Sequence, residues 1–326
     1  MSKIEQSWYK SFGLITLLLL PLSALFWVVS SFRKYLYSAK ILKPFECKTP
    51  VIVVGNISVG GNGKTPFVLW LYGHLTQQGL SVGIISRGYG GQSKNYPLLV
   101  TELVDAQQAG DEPVLLYHRL KCPIAVGPNR QHNIDLLENN YTLDVIISDD
   151  GMQHYKMPRS IECCIVDNER RFGNGFVMPA GPLRETTKRL QSVDIVIENG
   201  GEANNSYTLQ VSNLRLVNSS DYAKSNVSEA HAISAIGNPK RFENSLEAQD
   251  ITLLSTHHFR DHYAYTVDDF AQFGDDCIIM TEKDAVKCKS FAKPNWYYLP
   301  VDAQPTDSVI NTLNSILKEK GILNGL

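Results

Sequence analysis

The sequence predicts an α/β protein in which helices cover both faces of a mostly parallel sheet. Nearly continuous apolar runs rich in β-branched residues alternate with helix-length segments, as is typical of strands buried on both faces. With 326 residues and 43% apolar content, the chain is long enough for one large α/β unit or two modest domains. The predicted strands are 51–54, 82–86, 145–148, 161–166, 193–197, 232–236 and 277–281.

The first predicted element is an N-terminal membrane helix. Residues 13–30 carry no charge, and 18 helical residues would reach about 27 Å, close to the ~30 Å hydrocarbon core of a bilayer. Pro21 is compatible with a spanning helix, a helix hairpin or a half-inserted anchor. A cleaved signal peptide is disfavoured, because the six cysteines show no disulfide framework and therefore indicate a reducing compartment.

The cations that flank this run predict its orientation. More of them follow the run than precede it, which places the main body of the chain on the cytoplasmic side. The same cations and their aromatic neighbours are suited to contact anionic headgroups. They are Arg33, Lys34, Lys40 and Lys43 after the run, against Lys3 and Lys10 before it.

The charge balance excludes one class of partner. The 31 basic and 33 acidic side chains leave a formal charge of −2, so the chain has no global field to hold nucleic acid. Any anionic partner must be met by a local cluster, and no obligate protein partner is inferred.

A change in composition predicts a domain boundary. Residues 200–228 are rich in Asn, Ser and Gly around a candidate hairpin at 207–217. We therefore predict an anchor with its juxtamembrane segment over 1–44, a phosphate-loop domain over 45–205, and a smaller C-terminal α/β domain over 206–326. The last predicted element is an amphipathic helix near 307–318.

A glycine-rich loop follows the first predicted strand. Residues 55–66 read Gly-Asn-Ile-Ser-Val-Gly-Gly-Asn-Gly-Lys-Thr-Pro and lead into an apolar, helix-like segment. The order strand, glycine-rich loop, Gly-Lys-Thr and helix is the context of a Walker A phosphate loop. The predicted nucleotide-binding residues are Ser58, Val59, Gly60, Gly61, Asn62, Gly63, Lys64 and Thr65.

Each residue type in this loop suits the binding of a nucleotide triphosphate and its metal. Glycines let successive backbone N–H groups face phosphate oxygens, and the helix N-terminus adds partial positive charge. Lys64 is expected on the β- and γ-phosphates and Thr65 on Mg²⁺. The loop departs from the consensus at Ser58, where a glycine is usual.

A second apolar strand ends in two carboxylates. Residues 143–151 read Leu-Asp-Val-Ile-Ile-Ser-Asp-Asp-Gly, the pattern of a Walker B strand that delivers an acid to Mg²⁺. Asp-Asp-Gly is also an ordinary turn sequence, but the phosphate loop upstream favours the metal site. Asp149 and Asp150 are the candidates, and Asp149 with Thr65 forms the predicted metal set.

Further loops carry single charged residues among glycines and prolines. At the strand ends of an open α/β sheet, such loops line the ligand crevice. Cations there are candidate clamps for a transferring phosphoryl group, and an acid is a candidate base, although each also fits a solvated loop residue. The residues are the cations Arg87, Arg130 and Arg184 and the acid Asp111.

The densest polar cluster of the second half is His-His-Phe-Arg-Asp-His-Tyr at 257–263. No cysteine lies near it and no HExxH pattern occurs, so acid–base or hydrogen-bonding duty is preferred to a metal site. His262 beside Asp261 is the first candidate. Thr-Glu-Lys-Asp at 281–284 is similar to the guanine-reading [N/T]KxD pattern, but its lysine stands one place late and does not indicate GTP.

Taken together, these motifs resemble the tetraacyldisaccharide 4'-kinase family of the lipid A pathway. The resemblance covers roughly residues 10–290, and its most specific parts are GNISVGGNGKTP at 55–66 and DVIISDDGMQH at 144–154. One departure is Asn62, where many relatives carry Thr. The other matching segments are SRGYGG at 86–91, GDEP at 110–113, VGPNR at 126–130, PAGPLRE at 179–185, AIGNPKRF at 235–242, FRDHYAY at 259–265 and TEKDAV at 281–286.

The resemblance implies a kinase that transfers the γ-phosphoryl group of ATP, with Mg²⁺, to the 4'-hydroxyl of tetraacyldisaccharide 1-phosphate, forming lipid IVA. Its implied location is the cytoplasmic face of the bacterial inner membrane, and its implied fold is two α/β/α parts that close on a cleft. A substrate with four acyl chains would hardly leave the bilayer, since each buried CH₂ is worth ~0.8 kcal/mol. The predicted anchor would bring the enzyme to that substrate.

The resemblance also implies roles for single residues. Asp111 and His262 would form the pair that activates the sugar hydroxyl, with His262 orienting the acid. The remaining matches are Lys64 and Thr65 for nucleotide and Mg²⁺, Asp149 and Asp150 as Walker B acids, and Arg130, Arg184 and Glu185 in the cleft. The alternative is a membrane-tethered regulatory ATPase or GTPase that hydrolyses its nucleotide without a sugar acceptor.

Overall fold

Two sheets organise the computed structural model, which describes residues 3–10, 12–219, 221 and 227–323. The described strands are β1 (Val51–Gly55), β2 (Val82–Ser86), β3 (Leu98–Leu99), β4 (Ile124–Val126), β5 (Val145–Asp149), β6 (Ile161–Asp167), β7 (Ile195–Asn199), β8 (Ser206–Val211), β9 (Arg215–Leu216), β10 (Glu229–Ser234), β11 (Thr252–His258), β12 (Ile278–Thr281), β13 (Trp296–Leu299) and β14 (Val301–Pro305). Over these residues, the larger sheet has nine strands in the order β14-β8-β7-β6-β1-β5-β2-β4-β3, and the smaller has five in the order β11-β10-β12-β13-β9.

Helices cover both sheets. They are α1 (Lys3–Ser7), α2 (Leu14–Ser38), α3 (Lys64–Gln77), α4 (Ala106–Ala109), α5 (Asp111–Leu120), α6 (Arg130–Asn140), α7 (Pro239–Glu247), α8 (Glu282–Cys288) and α9 (Asp307–Glu319), with 3-10 helices at Thr187–Ser192 and Val267–Phe273. The terminal helix α9 confirms the amphipathic segment predicted near 307–318.

The centre of the larger sheet is parallel and buried on both faces. Strand β1 pairs in parallel with β5 and β6, and its alternate residues enter opposite cores. Val51 and Val53 pack in one hydrophobic cluster, whereas Ile52 and Val54 pack in the other. The alternation follows from the period of two along a strand, and it explains why the run is apolar at every position. The predicted α/β class with a mostly parallel sheet is confirmed.

The structure corrects the hairpin predicted at 207–217. Strand β8 pairs with β7 and, in antiparallel fashion, with β14, whereas β9 pairs with β13 of the smaller sheet. Turn-forming composition marked the break in the chain, but the partner of β8 lies about 90 residues further on, which local composition does not encode. Residues 220 and 222–226 of this stretch lie outside the described residues.

The C-terminal part of the chain contributes to both sheets. After β13 in the smaller sheet, β14 joins the edge of the larger sheet and α9 packs there with Val309, Leu313 and Leu317 in its core. The division at 45–205 and 206–326 stays a prediction, and the anchor at 1–44 likewise.

The N-terminal apolar run forms the long helix α2. It has 25 residues, continues through Pro21, and is apolar and long enough to cross a membrane by length and composition. One face is attached to the body: the Ser23 hydroxyl donates to the Val177 carbonyl at 2.9 Å and accepts from the Ala180 amide at 2.8 Å. The other face exposes large apolar side chains, among them Leu18, Leu22, Leu25 and Val29.

Candidate active site

The phosphate loop joins β1 to α3, as the sequence predicts. Gly60 and Gly63 have φ of 105° and 81°, in the left-handed region that favours glycine. A Cβ at Gly63 would overlap the side chains of Asn199 and Tyr207, so no larger residue fits there. Helix α3 begins at Lys64, and its N-terminus therefore points its partial positive charge at the loop.

Side chains from the neighbouring strands fasten this loop. Asn199 Nδ2 donates to the Asn62 carbonyl at 3.2 Å, and the Tyr207 hydroxyl donates to the Gly63 carbonyl at 2.7 Å. Within the loop, Asn62 Nδ2 donates to the Ser58 hydroxyl at 3.0 Å. Ser58 and Asn62, the two residues that depart from the usual motif, are therefore joined by a side-chain hydrogen bond that closes the loop.

The buried Tyr207 hydroxyl offers a direct test of this fastening. We expect Tyr207→Phe to destabilise the fold by about 1 kcal/mol and to raise the KM for ATP, because the Gly63 carbonyl loses its partner. Urea unfolding and nucleotide titration would measure the two effects. Tyr297→Phe, on β13 of the smaller sheet, is the control and is expected to leave the KM unchanged. An unaltered KM in Tyr207→Phe would contradict the fastening.

The two predicted Walker B acids lie at the end of β5, beside the phosphate loop. Parallel pairing of β1 with β5 sets Val54 opposite Asp149. Strand β5 therefore places both acids at the carboxyl end of the sheet, where the phosphate loop also begins. Asp149 is 1% exposed, and its Oδ1 is buried without a hydrogen-bond partner. Burial and then the negative charge of Glu112 raise the pKa of Asp149, which a nearby cation would reverse.

Asp150 occupies a different electrostatic setting. Its carboxylate lies 3.5 Å from Lys64 Nζ and 2.9 Å from Arg184 Nη1. Burial alone would raise the pKa of Asp150, but the charges of Lys64 and Arg184 outweigh it and hold the pKa well below its usual range. The phosphate-loop lysine, a clamp candidate and an acid are thus assembled in one cluster.

Arg130 holds the backbone of the two acids in place. It is almost fully buried, and its Nη2 donates to the Asp149 carbonyl at 2.8 Å, while its Nη1 has no hydrogen-bond partner. Burial lowers the pKa of Arg130 to about 10, against the opposing charges of Asp149 and Asp150. The guanidinium remains charged at neutral pH and fixes the end of β5.

The residues present fit a magnesium ion that is shared with a nucleotide. Among the described residues, no group of three His, Cys, Asp or Glu side chains could hold a metal alone. Mg²⁺ characteristically binds one or two protein oxygens together with phosphate oxygens and water. Thr65 at the start of α3 and the unpartnered Oδ1 of Asp149 are the candidate protein ligands.

Asp111 and His262 meet across the cleft. Asp111 begins α5 on the larger sheet, and His262 follows β11 of the smaller sheet with φ of 59°. His262 Nδ1 lies 3.0 Å from both carboxylate oxygens of Asp111, whereas its sequence neighbour Asp261 is 3.8 Å from Nε2. The structure thus pairs His262 most closely with Asp111, 151 residues away.

The charge of Asp111 is well supported. Burial alone would raise the pKa of Asp111, which is 4% exposed, but the hydrogen bond from His262 and the charge of Lys283 outweigh it. The pKa of Asp111 is therefore lowered, and the carboxylate is ionised at neutral pH. An ionised acid in contact with an imidazole is suited to accept a proton from a hydroxyl.

Glu185 belongs to a network near the end of α2. It accepts from Gln153 Nε2 at 3.1 Å and from the Tyr155 hydroxyl, and lies 3.6 Å from Arg189 Nε and 3.8 Å from Lys34 Nζ. The loop that carries Arg184 and Glu185 also accepts a hydrogen bond from the phosphate loop, from the Val59 amide to the Pro182 carbonyl at 2.8 Å. This loop therefore links helix α2 to the nucleotide site.

These groups surround one large cleft between the two sheets, with a volume of about 2270 Å³. A site for one small ligand typically occupies roughly 300–1,000 Å³, so the cleft has room for a nucleotide and a second substrate. Ser58 is not among the lining residues, and Asp111 adjoins the cleft through its contact with His262. The predicted residues that line it are Val59, Gly60, Gly61, Asn62, Gly63, Lys64, Thr65, Arg87, Arg130, Asp149, Asp150, Arg184, Glu185 and His262.

Sequence reasoning missed several residues of the cleft. Asn199 and Tyr155 gave no signal beyond ordinary strand or loop composition. Gln153 and Lys283 lie in segments that match the family, but neither was assigned a role. Arg170 also lines the cleft, and it donates to the Gly237 carbonyl across it. A search for polar residues at strand ends would have found Asn199, which closes β7.

The fold and this site define a class of protein. A parallel sheet whose first strand runs into a Gly-Lys-Thr loop, with an acid at the end of the adjacent strand, is the architecture of a P-loop nucleotide-binding protein.

Comparison with known proteins identifies the family. The family profile described as "LpxK: Tetraacyldisaccharide-1-P 4'-kinase" matches residues 15–318. A tetraacyldisaccharide 4'-kinase of Pseudoalteromonas translucida is 72% identical over 326 residues, which is the full length of both chains. One of Mannheimia succiniciproducens is 48% identical over 323 residues, covering 95% of this chain and 97% of the relative. The chain belongs to the tetraacyldisaccharide-1-P 4'-kinase family.

A solved structure agrees with the fold. The crystal structure of LpxK from Aquifex aeolicus in complex with ATP superposes with a TM-score of 0.79 at 27% sequence identity. It covers 95% of this chain and 100% of that one, so the match includes both sheets.

Proposed function

We propose that this chain transfers the γ-phosphoryl group of ATP to the 4'-hydroxyl of tetraacyldisaccharide 1-phosphate, forming lipid IVA. The observation that carries the proposal is the contact of Asp111 with His262 at the cleft that holds the phosphate loop, in a chain of this kinase family. A regulatory ATPase or GTPase would require no such pair for a sugar hydroxyl, and nothing in the cleft favours it.

The chain's own residues account for the steps of the transfer. Lys64 and the loop amides bind the β- and γ-phosphates. Arg184 is held near Lys64, because both side chains pair with Asp150. The sugar oxygen attacks the γ-phosphorus, the bond to the β-phosphate oxygen breaks, and the hydroxyl proton passes to Asp111. Proton transfer is late in a loose transition state, so a weakly basic carboxylate is sufficient.

Mg²⁺, held by Thr65, Asp149 and phosphate oxygens, would neutralise charge that develops on the phosphate oxygens. The unpartnered, buried Oδ1 of Asp149 supports this assignment. Arg130 keeps that acid in place through its hydrogen bond to the Asp149 carbonyl.

The exposed face of α2 supports attachment to the inner membrane, with the cleft on the cytoplasmic face. This face is apolar, whereas the attached face leads through Lys34 to Glu185 in the cleft. A lipid whose chains stay in the bilayer would therefore present its sugar to the side of the enzyme where the cleft opens.

Polar substitutions on this face are expected to weaken membrane binding. Replacing Leu18, Leu22 and Leu25 with Ser removes three exposed apolar side chains, and we expect binding to vesicles to weaken by about tenfold or more. Transfer in detergent micelles should change little, because none of the three lines the cleft. The control Leu103→Ser alters a residue that is 93% exposed in the body, and sedimentation with vesicles measures both. Equal sedimentation of all variants would contradict the attachment.

The experiment that tests the proposal compares two acceptors. Purified protein is given Mg·ATP and tetraacyldisaccharide 1-phosphate in micelles, and in parallel the same lipid with its 4'-hydroxyl methylated. We expect one added phosphate on the first lipid and none on the second, by mass spectrometry. Phosphorylation of the blocked lipid, or of neither, would overturn the proposed acceptor.

A further inference from the structure

A partly buried lysine lies beside the Asp111–His262 pair. Lys283, in the first turn of α8, has a side chain that is 16% exposed. Its Nζ donates to Glu112 Oε1 at 3.2 Å and to Asp261 Oδ1 at 3.1 Å. The same atom lies 3.4 Å from His262 Nε2 and 3.9 Å from Asp111 Oδ2. Four groups of the cleft thus converge on one ammonium.

The contacts of His262 with Lys283 and with Asp111 favour the same position for the proton of the ring. An ammonium has only hydrogens to donate, so Nε2 must accept in this contact. The proton of a neutral ring then resides on Nδ1, which faces the carboxylate of Asp111. That tautomer donates to Asp111 and holds it in place, whereas the opposite tautomer would set two lone pairs against each other.

Lys283 also bridges the two halves of the cleft. Glu112 and Asp111 belong to α5 beside the larger sheet, while Asp261 and His262 follow β11 of the smaller sheet and Lys283 lies in α8, which follows β12. The charges of Glu112 and Asp111 outweigh the effect of burial and raise the pKa of Lys283, so the ammonium persists. The other cation that faces Asp111 is Lys287, at 4.0 Å from Oδ2 and 2.7 Å from the buried Asp284.

We propose that Lys283 is a positioning residue for the phosphoryl transfer: it favours the Nδ1–H tautomer of His262, places a positive charge beside Asp111, and holds the pair together across the cleft. This inference rests on the proposed function. Lys283 contacts neither the phosphate loop nor its acids in any described hydrogen bond or ion pair, so it acts through Asp111 and His262.

Kinetics as a function of pH test the charge of Lys283. Lys283→Met should lower kcat about tenfold or more, with little change in the KM for ATP, and should move the acid limb of kcat about one pH unit upward. Lys283→Arg retains the charge and should keep the limb near its wild-type position. Lys283→Gln still donates to Glu112 and Asp261 and replaces Lys283→Met if the latter does not fold. The control Lys293→Met removes an exposed lysine that pairs with Asp275 in the same part of the chain.

The ring nitrogens of His262 give a second readout that a purely structural role would not move. ¹⁵N spectra of the histidines, with His262→Gln to assign the signal, should show the Nδ1–H form in the wild type and a smaller share of that form in Lys283→Met, where Asp111 alone favours it. An unchanged tautomer together with an unmoved acid limb would overturn the inference. Absence of transfer by the wild-type protein would instead overturn the proposed function, so the two failures are distinguishable.

Discussion

Replacing Asp111 with asparagine is expected to lower kcat for transfer to the lipid by roughly 10²- to 10⁴-fold. The amide keeps the shape of the carboxylate and a hydrogen bond to His262, but it does not accept the hydroxyl proton. ATP binding should stay within about twofold of wild type, because Asp111 does not contact the phosphate loop in any described hydrogen bond or ion pair. Single-turnover transfer would measure the loss of kcat, and nucleotide titration would measure ATP binding.

The matched control for Asp111→Asn is the same substitution at an exposed aspartate. Asp268→Asn removes an exposed carboxylate in a 3-10 helix of the smaller sheet and should leave kcat unchanged. If Asp111→Asn retained most of the wild-type kcat, His262 or solvent would have to take the proton and the assigned role of Asp111 would be wrong.

The lowered pKa of Asp111 also determines how its contribution to stability depends on pH. A carboxyl whose pKa is depressed in the folded state stabilises that state above its unfolded pKa of about 3.9, and the contribution is lost as pH falls through the folded pKa. Wild type should therefore exceed Asp111→Asn in stability near neutral pH, and the difference should shrink below about pH 4. Urea midpoints across this range would show it.

The second large effect is expected at Lys64. Lys64→Ala should reduce kcat/KM for ATP by about 10²- to 10³-fold or more, because the variant loses the charge on the β- and γ-phosphates. The fold should persist, since Asp150 retains its ion pair with Arg184 at 2.9 Å. Lys318→Ala, an exposed lysine on α9, is the control and should behave as wild type. A Lys64→Ala enzyme with wild-type kcat/KM would contradict the assignment of the phosphate loop.

The parts of the fold that sequence predicts are those with local determinants. Strand β1 is apolar along its length and β5 is apolar up to Ile147, because both faces of the sheet are covered. The phosphate loop requires glycines within a few residues. These signals lie within a window of about ten residues, and they can be recognised without knowing which strands pair. The helix α3 likewise begins where the Gly-Lys-Thr run indicates.

The features of the fold and the site that the residues alone did not predict depend on pairing between distant parts of the chain. Adjacency indicates Asp261 as the partner of His262, but the turn at His262 points Nδ1 at Asp111 of a distant helix; only the family resemblance suggested that pair. The return of β14 to the larger sheet leaves no local trace, and the candidate hairpin at 207–217 was wrong for that reason. Lys283 became visible only when both halves of the cleft were in place.

The prediction of helix α2 is an intermediate case. The apolar run predicted the helix, yet the sequence does not show that Ser23 bonds to the loop preceding Arg184 and Glu185. This attachment puts α2 in contact with the same loop that pairs with the phosphate loop.

The fate of labelled γ-phosphate, measured with and without the lipid, tests the central claim most directly. In micelles that contain Mg·ATP and tetraacyldisaccharide 1-phosphate, we expect the label on the lipid, with little inorganic phosphate released when the lipid is omitted. Release of phosphate to water at one rate in both conditions, with no labelled lipid, would contradict the account and indicate a regulatory ATPase.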